Sequence, residues 1–332
     1  MYLPLNEEQA KTRVDALQLF EQYQAHLLRK PSVAGSMHWR KSGGHEYLYR
    51  AVSGRVAKSL GRRSAKTEAL KEQFEEGKAN WDSRKESLED TLKTHAAYVR
   101  ANGLNRLPVT AARVLRALQK HDIPYRVIGT NALYAYESRA GALMDGPLLA
   151  TGDLDVLFDA RQSLQVISKA PQNRLLNILQ QADKTFVKRT SGRYEFSASA
   201  DSGYQVDFVT QGQVNEMLPT EFERQLDSDD LIPVRSATLK WVIASPRFTA
   251  TAFDGRGMPV TMHTIDPRAF VLHKLYVSKQ PDRSPEKKIR DKAQASAMAN
   301  LLAEQMPDLP GGRAIRKAFP AAQSQQLDEL DL

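Results

Sequence analysis

A strongly apolar run in the middle of the chain carries two aspartates one residue apart. The run is ATGDLDVLFDA, residues 150–160, and its apolar and β-branched content predicts a β-strand. Side chains two positions apart in a strand leave the same face, so Asp153 and Asp155 are expected to point together. Two carboxylates side by side repel each other unless a cation or hydrogen-bond donors lie between them. An isolated Asp-x-Asp is also typical of a solvated turn before an edge strand. Other segments of the sequence are therefore needed to distinguish a turn from a cation site.

Two other segments carry polar residues that can meet this pair. A predicted buried strand, YRVIG, ends in a turn formed by Gly129, Thr130 and Asn131, and this turn opens a predicted helix. A third predicted strand, YQVDFV, carries Asp207. Because adjacent strands lie ~4.8 Å apart, Asp207 can approach the other two aspartates. Strands and helices alternate here before strands run consecutively, which predicts an α+β fold with a mixed sheet.

This order of strands and polar residues suits phosphate chemistry. Carboxylates are oxygen ligands that Mg²⁺ takes in proteins, usually together with substrate phosphates. A glycine turn at a helix N-terminus offers backbone N–H groups and a partial positive charge to a phosphate. Each piece is common by itself, whereas the ordered set is hard to obtain by chance. The set therefore favours metal-dependent nucleotidyl transfer.

The ordered set resembles the nucleotidyltransferase superfamily typified by DNA polymerase β, with its Gly-Ser turn, Asp-x-Asp strand and third acidic strand. The segments VIGTNALYAYESRAG and LLATGDLDVLFDAR, with GGHEYLYR and SLGRRSAKTEALKEQF nearer the N-terminus, resemble more closely a family of bacterial nucleotidyltransferase-fold proteins. The resemblance implies a nucleotidyltransferase fold, in which helices flank a mixed sheet. A hairpin and long-helix region is expected before this core, and a mainly helical region after it.

Roles for individual residues are implied by this resemblance. Gly129 and Thr130, with Asn131 beside them, would bind phosphate. The three aspartates would hold Mg²⁺ or Mn²⁺ and act in catalysis, and Asp207 would help to deprotonate the attacking hydroxyl. The turn has Thr where Ser or Gly is usual, a change that keeps a hydroxyl group. The 22 residues between Thr130 and Asp153 exceed the usual spacing and leave room for a predicted loop, AGALMDGPLLATG, over the site.

A segment nearer the C-terminus, FVLHKLYVSKQPDRSPEKKIRDKAQ, resembles the C-terminal helices of abortive-infection and toxin nucleotidyltransferases. That resemblance implies that Lys274 contacts the triphosphate and that Arg290 and Asp291 complete the nucleotide site. Two simpler interpretations stay open. Lys274 can be an exposed lysine on a packed helix, and Asp291 can pair within its own helix with Lys287 or Lys288.

The chain is predicted to contain three regions. In the first, a helix over 6–29, a basic β-meander and a long helix capped by Ser64 follow one another. The second is the catalytic core. In the third, a hairpin around Asp254 and Gly255 precedes helices that complete the nucleotide site, and the tail after Pro310 is expected to fray. The predicted regions are residues 1–104, 105–212 and 213–332.

The first region holds a markedly basic stretch. Arg29–Arg63 contains nine Lys or Arg residues and a single acidic residue, Glu46, with Trp39, Tyr47 and Tyr49 between the charges. Positive charge for phosphates and rings for stacking would suit RNA, such as a tRNA end. The alternative is a small sheet whose rings pack on a helix and whose charges are merely solvated.

Composition narrows the setting of the protein. The net charge of +8 favours polyanionic partners such as nucleotides or nucleic acid. The absence of cysteine excludes a disulfide framework and a thiolate zinc site, and it favours the cytoplasm. The chain contains no apolar run of ~18 residues and no apolar leader, so neither a membrane span nor a secretory signal is expected. His263 and His273 lack partners at metal-ligand spacing and are predicted to be ordinary packing or surface residues.

The sequence therefore predicts a Mg²⁺-dependent nucleotidyltransferase that transfers NMP from an NTP, such as ATP, to an acceptor hydroxyl, with RNA as the favoured acceptor. One alternative is a catalytically idle nucleotidyltransferase fold that serves as an RNA-binding module. Another is an enzyme that modifies itself or a partner protein. The resemblance to toxin nucleotidyltransferases also suggests an antitoxin-like protein partner.

Overall fold

The computed structural model describes residues 2–52, 55–158, 174–189, 196–211, 231, 234–309 and 312–330. The chain divides into two compact units. One comprises Met1–Ala10 with Arg100–Leu332, and the other comprises Lys11–Val99. The three-region division of the sequence stays a prediction beside this one.

The elements of the first third of the chain are β1 (Tyr2–Pro4), α1 (Glu7–Leu28), α2 (Lys30–Val33), β2 (Ser36–Ser42), β3 (His45–Ala51), β4 (Lys58–Arg62), α3 (Ala65–Ala101) and α4 (Val109–Lys120). Those of the middle are β5 (Arg126–Ile128), α5 (Ala132–Ala140), β6 (Ala142–Met144), α6 (Gly146–Leu149), β7 (Asp153–Phe158), α7 (Leu175–Ala182), β8 (Val187–Lys188), β9 (Ser197–Ser199) and β10 (Gln205–Gln211). Those of the remainder are β11 (Val234–Ser236), α8 (Leu239–Ala244), β12 (Arg247–Phe253), β13 (Pro259–Ile265), α9 (Pro267–Ser278), α10 (Pro285–Gln305), α11 (Arg313–Ala318), α12 (Ala321–Ser324) and α13 (Gln326–Glu329).

The smaller unit contains the predicted meander and most of the two predicted long helices. Strands β2, β3 and β4 form a three-stranded antiparallel sheet. Helix α3 starts with reciprocal capping: the Thr67 N–H donates to Ser64 Oγ, and the Ser64 N–H donates to Thr67 Oγ1 at 2.9 Å. This arrangement confirms Ser64 as the cap.

The larger unit is built on an eight-stranded sheet within the described residues. The strand order is β12-β13-β5-β7-β10-β9-β8, and β11 pairs with β10. The β7–β10 and β13–β5 pairs are parallel, whereas β5–β7, β9–β10 and β12–β13 are antiparallel. The predicted α+β class with a mixed sheet is therefore confirmed. The sheet takes strands from both sides of residue 212.

Strand β7 lies in the middle of this sheet and is apolar on one side. Leu154, Val156 and Phe158 are fully buried, and the Phe158 ring stacks on that of Phe208 in β10 with centroids 5.1 Å apart. Burial of these side chains holds the two strands in register. Of the alternate positions of β7, Asp153 and Asp155 carry polar side chains, and Leu157 is buried.

Two local predictions were wrong. Most of the segment predicted as a loop, AGALMDGPLLATG, forms β6 and α6, because the backbone of β1 supplies an antiparallel partner for β6. The tail after Pro310 contains α11, α12 and α13, since Ile315, Phe319 and Leu327 bury their side chains in the core. The segment TFVKRTSGRYEFSAS, residues 185–199, has a Ser-Gly step that is typical of a hairpin turn. Strands β8 and β9 of this segment pair antiparallel, and the Ser-Gly step lies outside the described residues.

Among the described residues, none of the helices has the length and apolar character needed to cross a bilayer.

Candidate metal centre and nucleotide site

Three carboxylates converge at two neighbouring strands of the larger sheet. Strands β7 and β10 are parallel, and their register sets Asp207 directly opposite Asp155. Asp153 lies two positions earlier in β7, on the same face. One carboxylate oxygen from each of the three side chains lies within 4.8 Å of the other two. The convergence expected from the sequence is therefore present.

Crowding and burial oppose the ionisation of these groups. Burial, together with the charges of Asp153 and Asp207, raises the pKa of Asp155 to about 7, although Lys274 and Arg283 act in the opposite direction. Burial and the charge of Asp153 likewise raise the pKa of Asp207. Three carboxylates in such a cluster interact favourably with a cation between them.

One oxygen of this cluster has no protein partner. Asp207 Oδ1 is buried and accepts no hydrogen bond from the described residues, and the buried Ser197 Oγ lacks a partner of hydrogen-bond geometry as well. Ser197 still lies close enough to lower the pKa of Asp207. By contrast, the Thr151 hydroxyl donates to Asp153 Oδ1. A buried oxygen without a donor, beside two more carboxylates, fits the ligand set of a divalent cation.

The predicted phosphate-binding turn touches the cluster through its glycine. Gly129 has a φ of +64°, and a Cβ atom at this position would lie 2.0 Å from Asp155 Oδ2. Only glycine therefore allows the turn to approach the carboxylate this closely. Asn131 is buried, and its Nδ2 donates to the backbone carbonyl of Asp153, so its side chain fastens the turn to β7.

Helix α10 holds the same turn from another side. Thr130 Oγ1 accepts hydrogen bonds from Arg290 Nη2 at 2.9 Å and from Gln294 Nε2 at 3.1 Å. Arg290 also donates to the carbonyl of Ala150, and Gln294 donates to that of Leu148 at 2.7 Å. Thr130 and Arg290, both predicted site residues, thus lie in contact. Gln294 was missed, although it follows Arg290 by four positions and so shares its helix face.

Lys274 and Asp291 form a buried ion pair between α9 and α10. Lys274 Nζ donates to Asp291 Oδ1 at 2.8 Å, and Arg283 Nε donates to Asp291 Oδ2 at 2.9 Å. The interpretation of Lys274 as an exposed lysine was wrong, since it is only 8% exposed. Pairing of Asp291 within its own helix was also wrong, because the packing of α9 on α10 brings Lys274 against it. Burial lowers the pKa of Lys274, while Asp291 raises it.

Two basic residues near the carboxylates were missed from the sequence. Arg283, in the short connection between α9 and α10, lowers the pKa of Asp155, and Lys287 in the first turn of α10 lowers that of Asp207. Arg283 directly precedes the segment SPEKK, and Lys287 lies within it. Nothing in the sequence distinguishes a basic residue here that faces the site from one that is solvated. The density of basic residues between Arg283 and Lys292 was the available signal.

The two histidines considered from the sequence make packing contacts. The His263 ring packs edge-on against Tyr125, and its Nδ1 lies 3.0 Å from Thr249 Oγ1. His273 Nε2 lies 3.5 Å from Thr238 Oγ1, and burial lowers the pKa of His273 to about 4. Neither histidine is part of the carboxylate cluster.

The glycine turn and the three aspartates lie within the match to a known protein family. Residues 110–319, more than half of the chain, match a protein family described as Nucleotidyltransferase. The matched range contains the glycine turn, the three aspartates and helices α9 and α10. A solved structure, an antigenic nucleotidyltransferase-like protein from Paracoccidioides brasiliensis, shares 16% identity over 69% of this chain and 92% of that chain, with a TM-score of 0.34. Comparison with curated proteins found no similar sequence.

Proposed function

The chain belongs to the nucleotidyltransferase family, and from this premise we propose that it is a divalent-metal-dependent enzyme that transfers NMP from an NTP to an acceptor hydroxyl. The observation that carries the proposal is the convergence of three carboxylates on β7 and β10. Nothing else in the described part of the chain explains such a cluster, since like charges this close lower stability without a cation.

Asp153, Asp155 and Asp207 are proposed to hold the metal, Mg²⁺ or Mn²⁺. Such ions favour carboxylate oxygens, and when bound they neutralise phosphate charge. The buried, unpartnered Asp207 Oδ1 supports this assignment. As in the resemblance noted from the sequence, the same carboxylate is proposed to accept the proton of the attacking hydroxyl; it faces Ser197 on the neighbouring strand β9 and is partly buried.

The nucleotide phosphates are proposed to lie between the Gly129 turn and the cations of α9 and α10. The acceptor oxygen forms a bond to the α-phosphorus while the bond to the bridging oxygen of the β-phosphate breaks, and pyrophosphate leaves. Positioning and charge neutralisation supply most of the rate in such reactions. Arg283 is the best candidate for a direct phosphate contact, since its side chain is 34% exposed and Asp291 fixes its orientation. The contact of Lys274 with the triphosphate stays a prediction, and we propose that Lys274 also acts through Asp291, which it shares with Arg283.

RNA is the proposed acceptor, on account of the net charge of +8 and the basic stretch Arg29–Arg63. Two other functions compete with this one: an idle RNA-binding module, and an enzyme that modifies itself or a partner protein. A relationship to bacterial abortive-infection enzymes, an antitoxin-like partner and a cytoplasmic location stay predictions from the sequence.

A labelling assay tests the reaction and the acceptor together. Wild type, Asp155→Asn and the control Asp201→Asn would be incubated with each α-labelled NTP and Mg²⁺ or Mn²⁺, with and without total small RNA. Asp201 is an exposed residue in the turn before β10, outside the cluster. We expect the Asp155 variant to lose label at least about 100-fold, because changes beside a metal already lower activity by 10–100-fold, and the control to keep it.

The outcomes separate the competing functions. Label on RNA supports the proposed enzyme, and label on protein supports the protein-modifying alternative. Unreduced transfer by the Asp155 variant contradicts the assignment of the metal ligands. Absence of both labelling and nucleotide binding favours the idle module.

A further inference from the structure

The three-stranded sheet of the smaller unit has one face whose centre is engaged in packing. Leu48 at its centre is fully buried, and Trp39 is its cross-strand neighbour on β2. The Arg50 guanidinium lies over the ring of Phe74 in α3, with its Cζ 5.2 Å from the ring centroid. The aromatic rings and the Arg50 charge on this face therefore contribute to internal packing. For this face, the packing interpretation of the basic stretch holds.

The acidic residues near this sheet are also engaged. Arg63, directly after β4, bonds Glu46 at 2.6 Å and Glu68 at 2.7 Å, and its Cζ lies 5.1 Å from the centroid of the Trp39 ring. Glu46 is the single acidic residue of the stretch Arg29–Arg63. It is therefore committed to Arg63, whose charge it compensates.

The opposite face combines exposed arginines with aromatic rings. Because side chains alternate along a strand, Arg40 on β2, Tyr47 on β3 and Arg62 on β4 share this face, as their cross-strand pairing shows. Tyr49 pairs with His38 in the same way. Both arginines are exposed, and both tyrosines are partly exposed.

Contacts between neighbours hold these side chains in place. Arg40 Cζ lies 5.1 Å from the centroid of the Tyr49 ring, and Arg40 Nε donates to His38 Nε2 at 2.9 Å. Arg62 Nη2 lies 2.7 Å from His45 Nδ1. Each arginine is thus oriented by a histidine, and no carboxylate of the described residues forms an ion pair with it. The positive charge of this face is left for an external partner.

We propose that this basic aromatic face binds single-stranded RNA, with Arg40 and Arg62 on phosphates and Tyr47 and Tyr49 against bases. Single strands expose both groups, whereas a duplex hides its base faces. Strand positions two apart present side chains at about 7 Å, a spacing that suits a splayed strand. The inference rests on the proposed function for its choice of RNA, while the binding itself requires neither metal nor nucleotide.

Fluorescence anisotropy with a labelled single-stranded RNA of about 16 nucleotides tests the inference on the full chain, in EDTA and without NTP. Arg40→Gln combined with Arg62→Gln is expected to weaken binding at least about 10-fold at low salt. Loss of two phosphate contacts should also lower the slope of log K against log salt by about 1.4, at roughly 0.7 per contact. Arg63→Gln is the control, since it removes the adjacent arginine whose charge Glu46 and Glu68 already compensate. RNA affinity should fall much less than in the double variant, and the salt slope should not change.

Tyr47→Leu combined with Tyr49→Leu tests the stacking separately. Loss of stacking should weaken binding about 10-fold or more at any salt concentration and leave the salt slope unchanged. Circular dichroism and a thermal melt would establish that each variant is folded. Duplex RNA of the same sequence should bind more weakly, and tighter binding to the duplex would overturn the stacking assignment.

Unchanged affinity and salt slope in a folded Arg40/Arg62 variant would overturn the inference and leave a protein-docking role for the face. Failure of the proposed function is distinguishable from that result. If the protein transfers no label but binds RNA through this face, the proposed function fails and the inference stands. If the protein transfers label but its RNA affinity is unchanged by these substitutions, the inference fails and the proposed function stands.

Discussion

Gly129 is the residue on which the geometry of the carboxylate cluster depends most directly. Its φ of +64° belongs to the left-handed region, and its missing side chain leaves the space that Asp155 Oδ2 occupies. Any larger residue would have to displace either the turn or the carboxylate. Gly129 meets two requirements, a left-handed backbone conformation and a close approach to Asp155. They can be separated experimentally because Gly203 has the left-handed conformation without the close approach.

We predict that Gly129→Ala lowers both stability and transferase activity by more than Gly203→Ala. Gly203, with a φ of +81°, has no atom within 4 Å of where its Cβ would lie, so its substitution costs about 1–2 kcal/mol for the left-handed backbone alone. Gly129→Ala adds a 2.0 Å clash with Asp155 Oδ2. Urea unfolding and the labelling assay would measure the two effects. Equal losses in the two variants would show that the close approach has no consequence.

At the scale of single residues, the sequence predicted which side chains lie together when strand alternation or the order of elements determines their position. Asp153 and Asp155 share a face because strands alternate, and Asp207 was assigned to a neighbouring strand by the order of elements. The pair of Lys274 and Asp291 is separated by 17 positions and depends on how two helices pack. Periodicity contains no information on that packing, so their contact and the position of Arg283 could not be predicted.

Helices α9 and α10 form an element pair held by a buried charge network. Asp291 accepts from Lys274 through one oxygen and from Arg283 through the other, and the side chains of Lys274 and Asp291 are at most 9% exposed. Removing one member of such a network leaves an uncompensated buried charge, which is far more destabilising than replacing the whole pair. Substitution of Asp291 should therefore destabilise both helices and, through α10, the turn at Thr130.

We predict that Asp291→Asn lowers the free energy of unfolding by about 3 kcal/mol and that adding Lys274→Met restores part of this loss. Restoration is expected because the second change removes the ammonium group that the first leaves without its carboxylate. Chemical denaturation of the single and double variants would measure both steps. Asp328→Asn is the control, since the Arg316–Asp328 pair is exposed and should contribute little. A double variant less stable than Asp291→Asn would contradict the explanation.

Elements with strong local signals were predicted, and elements that depend on distant partners were not. The meander, the β12–β13 hairpin and the long helices carry their own turn residues, caps and periodic apolar positions. Strand β6 has weak strand character by itself and forms against β1, more than a hundred residues earlier in the chain. Which face of the meander packs was equally hidden, because Trp39, Tyr47 and Tyr49 look alike in sequence and differ only in direction.

For the whole molecule, a net charge of +8 gives the class of partner but not its position. Ion pairing indicates which of the positive charges remain for a partner. Near the carboxylates, Lys274 and Arg283 share the negative charge of Asp291. In the smaller unit Glu46 compensates the charge of Arg63, whereas no carboxylate in the described part of the chain pairs with Arg40 or Arg62. Nucleotide and RNA are therefore proposed to bind to different compact units.

Binding of the two ligands to different units predicts that each ligand protects different amides from hydrogen exchange. Metal with NTP should slow the exchange of amides in β7, β10 and the start of α10, because ligands stabilise the folded state of the segments they contact. Single-stranded RNA should slow exchange in β2, β3 and β4. Asp155→Asn should abolish the first footprint and keep the second, and Arg40→Gln with Arg62→Gln should do the reverse. Nucleotide protection confined to β2–β4, or RNA protection confined to β7 and β10, would show that the two ligands have been assigned to the wrong units.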